Sequence, residues 1–366
     1  MTKIAIIGAG KIGRAIASML EATGDYRVTV ADRSAEQLAR MGERGSIETR
    51  EVDVADGASL DSLLQGHFAV ISALPYDLTV PVAQAAARCK VHYLDLTEDV
   101  ASTQAVKALG ADSERAFIPQ CGLAPGFVSI VAADLARRLD TLDALRLRVG
   151  ALPQFPSNAL NYNLTWSTDG VINEYCEPCE AIVNGKRTLV APLEEREEFS
   201  LDGITYEAFN TSGGLGSLCE TLEGRVRTLN YRTIRYPGHA AIMRALLHDL
   251  RLAERRDVLK DIFEKALPAT LQDVVVVFVT ATGERKGQFV QETYANKIYS
   301  RTVGGEVQSA IQVTTSAGVC AILDLLAEGA LPQKGFVRPE QVPLERFLAN
   351  RFGRVYARAE DIAHAA

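Results

Sequence analysis

Long hydrophobic runs are missing from the 366-residue sequence. The longest uninterrupted apolar run is Val274–Val279, whereas a membrane-spanning helix needs about 20 residues. The apolar start Ile4–Ile7 runs directly into glycine and then into a helical pattern, which is not typical of a secretory leader. The 6 cysteines are irregularly spaced and do not predict a disulfide framework. We therefore expect a soluble, cytoplasmic protein with reduced thiols and no membrane partner.

An excess of positive charge is also missing. The sequence has 39 basic and 46 acidic residues, a net charge of −7. Binding to nucleic acid requires a basic surface, so this balance argues against a nucleic-acid partner. Hydrophobic residues make up 47% and charged residues 23%, close to the globular average, which excludes a disordered chain. At about 150 residues per domain, the length predicts two domains.

The first third of the chain alternates strand-like and helix-like segments. Short β-branched runs predict strands at Lys3–Ile7, Arg27–Ala31, Ile47–Val54, Ala69–Ala73, Val91–Leu96 and Ala116–Gln120. Amphipathic stretches between them predict helices at Gly13–Ala22, Ala35–Gly42, Ala58–Gly66, Leu78–Cys89 and Val100–Ala111. This alternation predicts a parallel sheet covered on both faces, an α/β, Rossmann-type doubly wound fold.

A glycine-rich turn between the first strand and the first helix indicates a dinucleotide site. It reads Gly8-Ala9-Gly10-Lys11-Ile12-Gly13, a G-x-G-x-x-G pattern. Gly8 permits the tight turn, Gly10 lets the backbone approach a pyrophosphate, and Gly13 lets the helix pack closely on the strand. The free N–H groups at the start of the helix would bind the anion.

The second strand ends in Asp32, about 20 residues after the glycine turn, where a carboxylate can bind the ribose hydroxyls. Its charge would repel a 2′-phosphate, which favours NAD over NADP. The neighbouring Arg33 leaves NADP open, because a guanidinium can pair with that phosphate. Asp53 follows the third strand, either at the adenine edge or as a loop cap. Ala73-Leu74-Pro75 closes the fourth strand at the nicotinamide end of the expected crevice.

After about residue 125 the pattern changes to long strand-like stretches with hairpin turns at Asn184-Gly185, Asp202-Gly203 and Gly283–Gly287. The predicted strands are Ala144–Ala151, Ala181–Pro192, Thr205–Asn210, Arg225–Arg235, Asp273–Thr282 and Phe289–Val303. Predicted helices are Phe127–Leu139, Gly238–Leu250, Val258–Ala266 and Thr315–Gly329. These segments predict a second α/β domain with an open mixed sheet, whose uncovered face suits a homodimer.

The resulting domain prediction has four parts. Residues 1–125 form the dinucleotide-binding domain and 126–310 the substrate and dimerisation domain. Residues 311–350 form a helical segment that packs back on the nucleotide domain. Residues 351–366 form a tail, which we expect to fray at its Ala-rich end.

Several motifs together resemble those of the saccharopine dehydrogenase-like family. They are Gly8–Gly13, Cys121-Gly122-Leu123-Ala124-Pro125-Gly126, Asn173-Glu174-Tyr175, Glu207-Ala208-Phe209 and Arg235-Tyr236-Pro237-Gly238-His239. The length and the segment from Trp166 to His239 are most similar to the lysine 6-dehydrogenase branch. The resemblance covers about residues 1 to 335. It implies NAD(P)-linked oxidation of a C–N bond of an amino acid by a two-domain subunit that usually dimerises.

An amino-acid substrate requires an anchor for its α-carboxylate, and Arg235 is our candidate because a guanidinium meets a carboxylate through two hydrogen bonds. The alternative is a solvated surface arginine, since Arg225, Arg227 and Arg232 share the strand. His239 is the candidate general base or water activator, with a polar helix cap as the alternative. Oxidising an ε-amine requires such a base or a desolvating pocket, because the reference pKa of lysine is near 10.4.

Further candidates come from both domains. Asp95 and Glu98 end the fifth strand and could receive the α-ammonium or the amine proton, or they could simply cap the next helix. Tyr76 could border the nicotinamide. Trp166 and Tyr175 could enclose the aliphatic part of a substrate, or they could be ordinary core residues.

The Cys176-Glu177-Pro178-Cys179 segment does not predict a metal site, because no second cysteine or histidine pair supplies the other ligands. No metal is expected.

The function expected from the residues and the resemblance is oxidative deamination of L-lysine at its ε-amine. The products would be the semialdehyde, which cyclises to a piperideine carboxylate, and ammonia. One alternative is a saccharopine-type enzyme that joins or splits a keto acid and an amino acid. That enzyme would need two more arginines in the pocket, from Arg225, Arg227 and Arg232. A non-catalytic NAD-binding sensor is the alternative from another class.

Overall fold

The computed structural model describes residues 1–41, 47–303 and 305–358. It divides into two compact units. The first contains residues 1–130, 302–306 and 312–366, and the second contains 131–301 and 307–311. The second boundary thus lies close to residue 310, and the chain after it returns to the first unit.

The strands, in chain order, are β1 (Thr2–Ile7), β2 (Tyr26–Asp32), β3 (Ile47–Glu51), β4 (Ala69–Ser72), β5 (His92–Asp95), β6 (Ala116–Ile118), β7 (Thr141–Pro153), β8 (Cys179–Val183), β9 (Lys186–Val190), β10 (Glu197–Leu201), β11 (Ile204–Asn210), β12 (Val226–Arg235), β13 (Asp273–Arg285), β14 (Gln288–Tyr299), β15 (Arg301–Val303), β16 (Glu306–Gln308) and β17 (Gly335–Phe336).

The α-helices are α1 (Lys11–Glu21), α2 (Ala35–Ala39), α3 (Gly57–Leu64), α4 (Thr79–Cys89), α5 (Val100–Gly110), α6 (Val128–Arg137), α7 (Thr168–Cys176), α8 (Leu218–Leu222), α9 (His239–Arg244), α10 (Arg256–Ala266), α11 (Ala310–Ala327) and α12 (Leu344–Ala349). Short 3-10 and π turns connect several of them.

The first unit contains a parallel sheet in the order β17-β6-β5-β4-β1-β2-β3. Both faces of its central strands are buried, as in Ile4–Ile7 of β1, because helices cover the two sides. The predicted Rossmann-type, doubly wound fold is confirmed, and each of the six strands predicted for residues 1–122 is present. The first predicted helix also forms, but the helix expected at Ala35–Gly42 ends at Ala39, and Gly42 lies outside the described residues.

The second unit contains a mixed sheet in the order β10-β11-β12-β7-β13-β14, with β8 and β9 attached through β12. Strands β7 and β12 run parallel, while their other pairings are antiparallel. Helices α7, α9 and α10 pack together with Phe209 of β11 in one apolar cluster. The open mixed sheet predicted for the second domain is therefore confirmed.

Some predicted elements were wrong in detail. Ala181–Pro192 is a hairpin of β8 and β9, because Asn184 and Gly185 both take positive φ angles, 52° and 79°, and turn the chain. Phe289–Val303 divides into β14 and β15. The expected helix Gly238–Leu250 consists of α9 and a wider π turn over Ala245–Asp249. Helices α7 and α8 and strands β10, β16 and β17 were missed.

The segment after residue 312 is tied to the first unit. Asp324 of α11 accepts hydrogen bonds from Tyr26 of β2, at 2.5 Å, and from Arg351, at 2.7 Å. Tyr356 is fully buried and donates to the Thr314 carbonyl. Arg351 and Tyr356, which we expected in a tail, are thus packed, whereas residues 359–366 lie outside the described chain.

Helix α11 has the length and apolar composition of a membrane span, with a mean hydropathy of 1.6 over 18 residues. However, 78% of that window is buried inside the protein, as in the core helix of a globular domain.

Candidate active site

The glycine turn after β1 is packed where the sequence predicts close packing and open where it predicts a ligand. Gly8 has a φ of +109°, and a Cβ atom there would lie 2.7 Å from the Ala73 carbonyl oxygen. A Cβ on Gly13 would lie 1.8 Å from the Gly8 carbonyl oxygen. A Cβ on Gly10 would meet nothing within 4 Å. The backbone at Gly10 is thus accessible to a pyrophosphate, while the other two glycines keep loop, strand and helix together.

Helix α1 begins at Lys11 without a side-chain cap and without an acidic residue in its first turn. Its first N–H groups and the positive end of its dipole are therefore not neutralised by the helix itself. Ile12 lies in the same turn and is partly buried. These features fit the pyrophosphate of a nicotinamide dinucleotide.

Asp32, at the end of β2, fixes the glycine turn through its carboxylate. One carboxylate oxygen accepts the Ala9 N–H at 2.8 Å, and the other accepts the Ser34 N–H at 2.8 Å. Each oxygen has a second lone pair, so a ribose hydroxyl can still bind. Arg33 beside it is exposed.

Other residues named for the cofactor lie near this turn or after neighbouring strands. Ala73, Leu74 and Pro75 follow β4, and Ala73 and Leu74 lie directly beside Gly8. Asp53 is exposed after β3 and accepts the Ala55 N–H at 3.0 Å, which is the loop-cap geometry. Tyr76 begins a short 3-10 turn after Pro75 and is 46% exposed.

Asp95 ends β5 and is fully buried. Its oxygens accept the Tyr93 hydroxyl at 2.8 Å and the backbone N–H groups of Thr97 and Gln120 at 3.0 and 2.8 Å. Burial raises the pKa of this carboxyl to about 6, although the three hydrogen bonds oppose the shift. These contacts give Asp95 a structural task, the joining of the ends of β5 and β6. Glu98 lies farther along the same loop and is partly buried.

Arg235, the last residue of β12, is the main candidate for substrate binding in the second unit. Its side chain is only 3% exposed. Its Nε donates to the Tyr175 hydroxyl at 2.8 Å, and its Nη1 donates to the Ile234 carbonyl at 2.9 Å. The guanidinium lies 5.1 Å from the ring centre of Tyr162. Within the described chain, no carboxylate lies within 4.0 Å of it.

His239, which begins α9, is joined to Arg235 through Tyr175. Its Nε2 lies 3.0 Å from the Tyr175 hydroxyl, and its Nδ1 lies 2.8 Å from the Leu160 carbonyl oxygen. Burial, and then the positive charge of Arg235, lower the pKa of His239 to about 3. The imidazole is therefore neutral at ordinary pH, and both of its nitrogens have partners. Burial raises the pKa of Tyr175, which keeps its proton.

Glu207 in β11 holds the turn between Arg235 and His239, a role that sequence reasoning missed. Its two carboxylate oxygens accept the N–H groups of Gly238 at 3.1 Å and Ala240 at 2.7 Å. Glu207 is the strand partner of Arg235 across β11 and β12. The proximity of Glu207-Ala208-Phe209 to the Pro-Gly turn could have been found only with the strand pairing known.

The aromatic residues around Arg235 belong to the helix-covered core. Trp166 is partly buried and packs on α7, where a Cβ on Gly170 would lie 2.4 Å from its ring. Tyr175 and Tyr162 are buried in the same cluster, and Tyr162 was not singled out from the sequence. Tyr175 and Trp166 therefore pack as core residues, which was one of the two interpretations, and their role as a substrate wall stays a prediction.

The three other arginines in or just before β12 do not lie beside Arg235. Arg227 is eight residues earlier and pairs with Asp143 at 2.7 Å, roughly 25 Å along the strand from Arg235. Arg232 points to the opposite face and pairs with Glu195 and Glu197. Arg225 precedes the strand and is exposed. A saccharopine-type enzyme would need further arginines beside Arg235, and these three do not lie there, because alternation and distance separate them from it.

Cys176 and Cys179 are free thiols. No group of three or more histidine, cysteine or acidic side chains suited to a metal ion occurs in residues 1–41, 47–303 and 305–358.

Comparison with known families matches both parts of the chain. Residues 4–117 match the saccharopine dehydrogenase NADP-binding domain, and residues 122–353 match the saccharopine dehydrogenase C-terminal domain.

Similar curated proteins include the bovine mitochondrial α-aminoadipic semialdehyde synthase, 24% identical over 352 residues, which is 90% of this chain and 36% of that protein. Saccharopine dehydrogenase [NADP(+), L-glutamate-forming] of Saccharomyces cerevisiae is 26% identical over 178 residues, 46% of this chain and 39% of that protein. These alignments thus span between a third and two fifths of the length of those relatives.

Among solved structures, the apo saccharopine dehydrogenase of S. cerevisiae superposes with a TM-score of 0.75 at 17% identity, covering 93% of this chain and 94% of that one. The homospermidine synthase of Legionella pneumophila, solved with NAD, gives 0.67 at 14% identity, covering 97% and 89%. These likenesses show the shared fold. Together with the family matches, they confirm the resemblance inferred from the motifs: the chain belongs to the saccharopine dehydrogenase family.

Proposed function

We propose that this chain is a nicotinamide-dinucleotide-dependent dehydrogenase that oxidises the C–N bond at the ε-amine of L-lysine. The observation that carries the proposal is Arg235, a buried guanidinium that has no carboxylate within 4.0 Å among the described residues, although the charge of Glu174 acts on it from farther away. Burying a guanidinium without a close carboxylate is costly, and a substrate carboxylate would supply a closer counter-charge.

The cofactor we propose is NAD, bound at the glycine turn with its ribose at Asp32. The NADP-binding name of the matching family model and the NAD in the Legionella structure both support a nicotinamide dinucleotide. The negative charge of Asp32 favours NAD of the two, because a 2′-phosphate would approach a carboxylate. When bound, the cofactor accepts a hydride.

The chemistry requires three events. The ε-ammonium first loses a proton to a base, because only the neutral amine can release a hydride from C6. Hydride transfer then leaves an iminium ion, and addition of water to it gives the semialdehyde and ammonium. We propose that this base is not His239, because both of its ring nitrogens have partners.

A saccharopine-type reaction is the second candidate, and the names of the yeast and bovine relatives favour it. Saccharopine carries three carboxylates, so it needs more cationic partners than lysine does. The separation of Arg225, Arg227 and Arg232 from Arg235 therefore favours lysine.

The test is cofactor reduction by the purified full chain, followed at 340 nm with L-lysine, L-saccharopine, L-ornithine and cadaverine. Each substrate is assayed with NAD⁺ and with NADP⁺. We expect the highest kcat/KM for lysine with NAD⁺, and ammonia released in equal amount to reduced cofactor. Turnover of saccharopine with glutamate as product would support the second candidate instead. If the protein binds a dinucleotide but turns over none of the four substrates, both dehydrogenase candidates are contradicted. The non-catalytic NAD-binding sensor is then the remaining alternative. The cytoplasmic location remains a prediction of the sequence.

A further inference from the structure

Leu160, His239, Tyr175 and Arg235 are connected by a series of hydrogen bonds. The donor in each bond follows from the Leu160 carbonyl at one end of the series. The Leu160 carbonyl oxygen can only accept, so His239 Nδ1, 2.8 Å away, must carry the single ring proton. His239 Nε2 then has a lone pair and no proton. The Tyr175 hydroxyl, 3.0 Å from it, must therefore donate to His239.

This direction has a consequence for Arg235. With its proton committed to His239, Tyr175 presents an oxygen lone pair to the Nε–H of Arg235 at 2.8 Å. A hydroxyl without such a partner could turn its proton toward the cation and repel it. The bond at Nε and the Tyr162 ring, whose centre lies 5.1 Å from the guanidinium carbon, restrict the rotation of the guanidinium. Its Nη2 makes no hydrogen bond with any residue of the described chain.

We propose that Tyr175 and His239 are positioning residues that hold the Arg235 guanidinium in the one orientation that can bind a substrate carboxylate through two hydrogen bonds. This rests on the proposed function, in which Arg235 is the carboxylate anchor. A guanidinium that is already held in place binds a carboxylate more tightly than a mobile one, because less conformational entropy is lost on binding. The sequence-based role of His239 as a general base is replaced by an indirect one.

Two substitutions of His239 separate its two hydrogen bonds. His239→Gln places an amide oxygen near the position of Nε2, so Tyr175 keeps an acceptor while the bond to Leu160 is lost. His239→Asn keeps a donor near Nδ1 for Leu160 but removes the acceptor for Tyr175. Tyr175→Phe removes the hydroxyl itself and leaves the ring in the core.

Steady-state kinetics with L-lysine and with cadaverine, which lacks the carboxylate, then test the inference. Tyr175→Phe and His239→Asn should each raise KM for lysine by roughly tenfold to a hundredfold, the cost of losing a hydrogen bond to a charged group, with kcat changed by less than about threefold. Cadaverine kinetics should be unchanged. His239→Gln should lie nearer to wild type than His239→Asn. A purely structural role would reverse that order, since only Asn keeps the Leu160 bond, and would affect both substrates alike.

Two measurements that need no turnover keep this test separate from the proposed function. Nuclear magnetic resonance of 15N-arginine-labelled protein reports the exchange rate of the Arg235 Nε–H, assigned with Arg235→Lys. The exchange rate should rise in Tyr175→Phe and His239→Asn, and equal rates in all variants would overturn the inference.

Calorimetry with L-norleucine, which has the α-carboxylate but no ε-amine, measures whether Arg235 binds an α-carboxylate. If wild type does not bind norleucine in the presence of NAD⁺, the proposed function fails. If wild type and both variants bind it equally, the positioning role fails and the anchor stands.

Discussion

At the scale of single residues, Arg235 differs from the other buried arginine of the same sheet. Arg148, 7% exposed, has its charge matched by Glu197 at 2.6 Å. Arg235 is at least as buried, yet its close contacts are a tyrosine hydroxyl, an aromatic ring and a carbonyl, while the charge of Glu174 acts on it from farther away. Stability alone does not explain such a cation, because an apolar side chain would cost less to bury. The proposed binding of an anionic substrate group would explain it.

We expect Asp32 to determine the preference for NAD⁺ over NADP⁺. Replacing Asp32 with Ser should weaken NAD⁺ and improve NADP⁺ relative to it, with the discrimination falling by about 1–3 kcal/mol. Both cofactors should also bind somewhat less tightly, because the bond from Ala9 that fixes the glycine turn is lost. Fluorescence titration of each dinucleotide measures the effect.

Asp53→Ser is the matched control for Asp32→Ser, since Asp53 also follows a strand of the sheet but its side chain caps its own loop. It should leave both affinities unchanged. A wild-type protein that already prefers NADP⁺ would show that Arg33, not Asp32, determines the choice.

Sequence reasoning reached the glycine turn and Arg235 because their chemistry depends on local spacing and residue type. It did not reach the bonds of His239 or the role of Glu207. Leu160, Tyr175 and Glu207 lie 79, 64 and 32 positions before His239, and only the folded chain brings Leu160 and Tyr175 to its ring. A histidine that looks free in the sequence is thus fully engaged in the structure.

At the scale of elements, the β1–turn–α1 unit combines two kinds of glycine. Gly13→Ala should destabilise the fold and abolish dinucleotide binding, because its Cβ would overlap the Gly8 carbonyl at 1.8 Å. Gly10→Ala should leave thermal stability close to wild type, since its Cβ has free space, but should weaken the dinucleotide by roughly tenfold or more. Thermal unfolding with and without NAD⁺ checks both.

The outcome that would contradict this interpretation is Gly10→Ala with normal cofactor affinity. The open space at Gly10 would then not be the pyrophosphate position.

Prediction of elements succeeded where hydrophobic periodicity extends over several residues, as in β1 and β13. It failed where tertiary pairing determines the structure. Strand β17 has two residues and exists because it pairs with β6, and β10 is an edge strand paired only with β11. The Asn184-Gly185 turn is visible in the sequence, but the predicted strand Ala181–Pro192 runs through it, whereas the turn divides that segment into β8 and β9.

At the scale of the whole molecule, assembly remains a proposal of the sequence. We expect a homodimer, because the second unit has long strands and exposes large apolar side chains such as Leu189, 64% exposed, and Phe289, 67% exposed. Sedimentation equilibrium at micromolar concentration should give twice the chain mass of 39.6 kDa. A single-chain mass across that range would remove the proposal.

Comparing L-lysine and cadaverine as substrates of wild type, Arg235→Ala and Arg235→Lys tests whether Arg235 anchors a substrate carboxylate. Arg227→Ala is the matched control, an arginine of the same strand that pairs with Asp143. We predict that Arg235→Ala raises KM for lysine roughly a hundredfold, equivalent to about 3 kcal/mol, with kcat much less affected. Arg235→Lys should recover part of the loss, and Arg227→Ala should match wild type. Cadaverine should be a poor substrate that does not respond to any of the substitutions. An equal loss for lysine and cadaverine in Arg235→Ala would contradict the account, because the residue would then be structural.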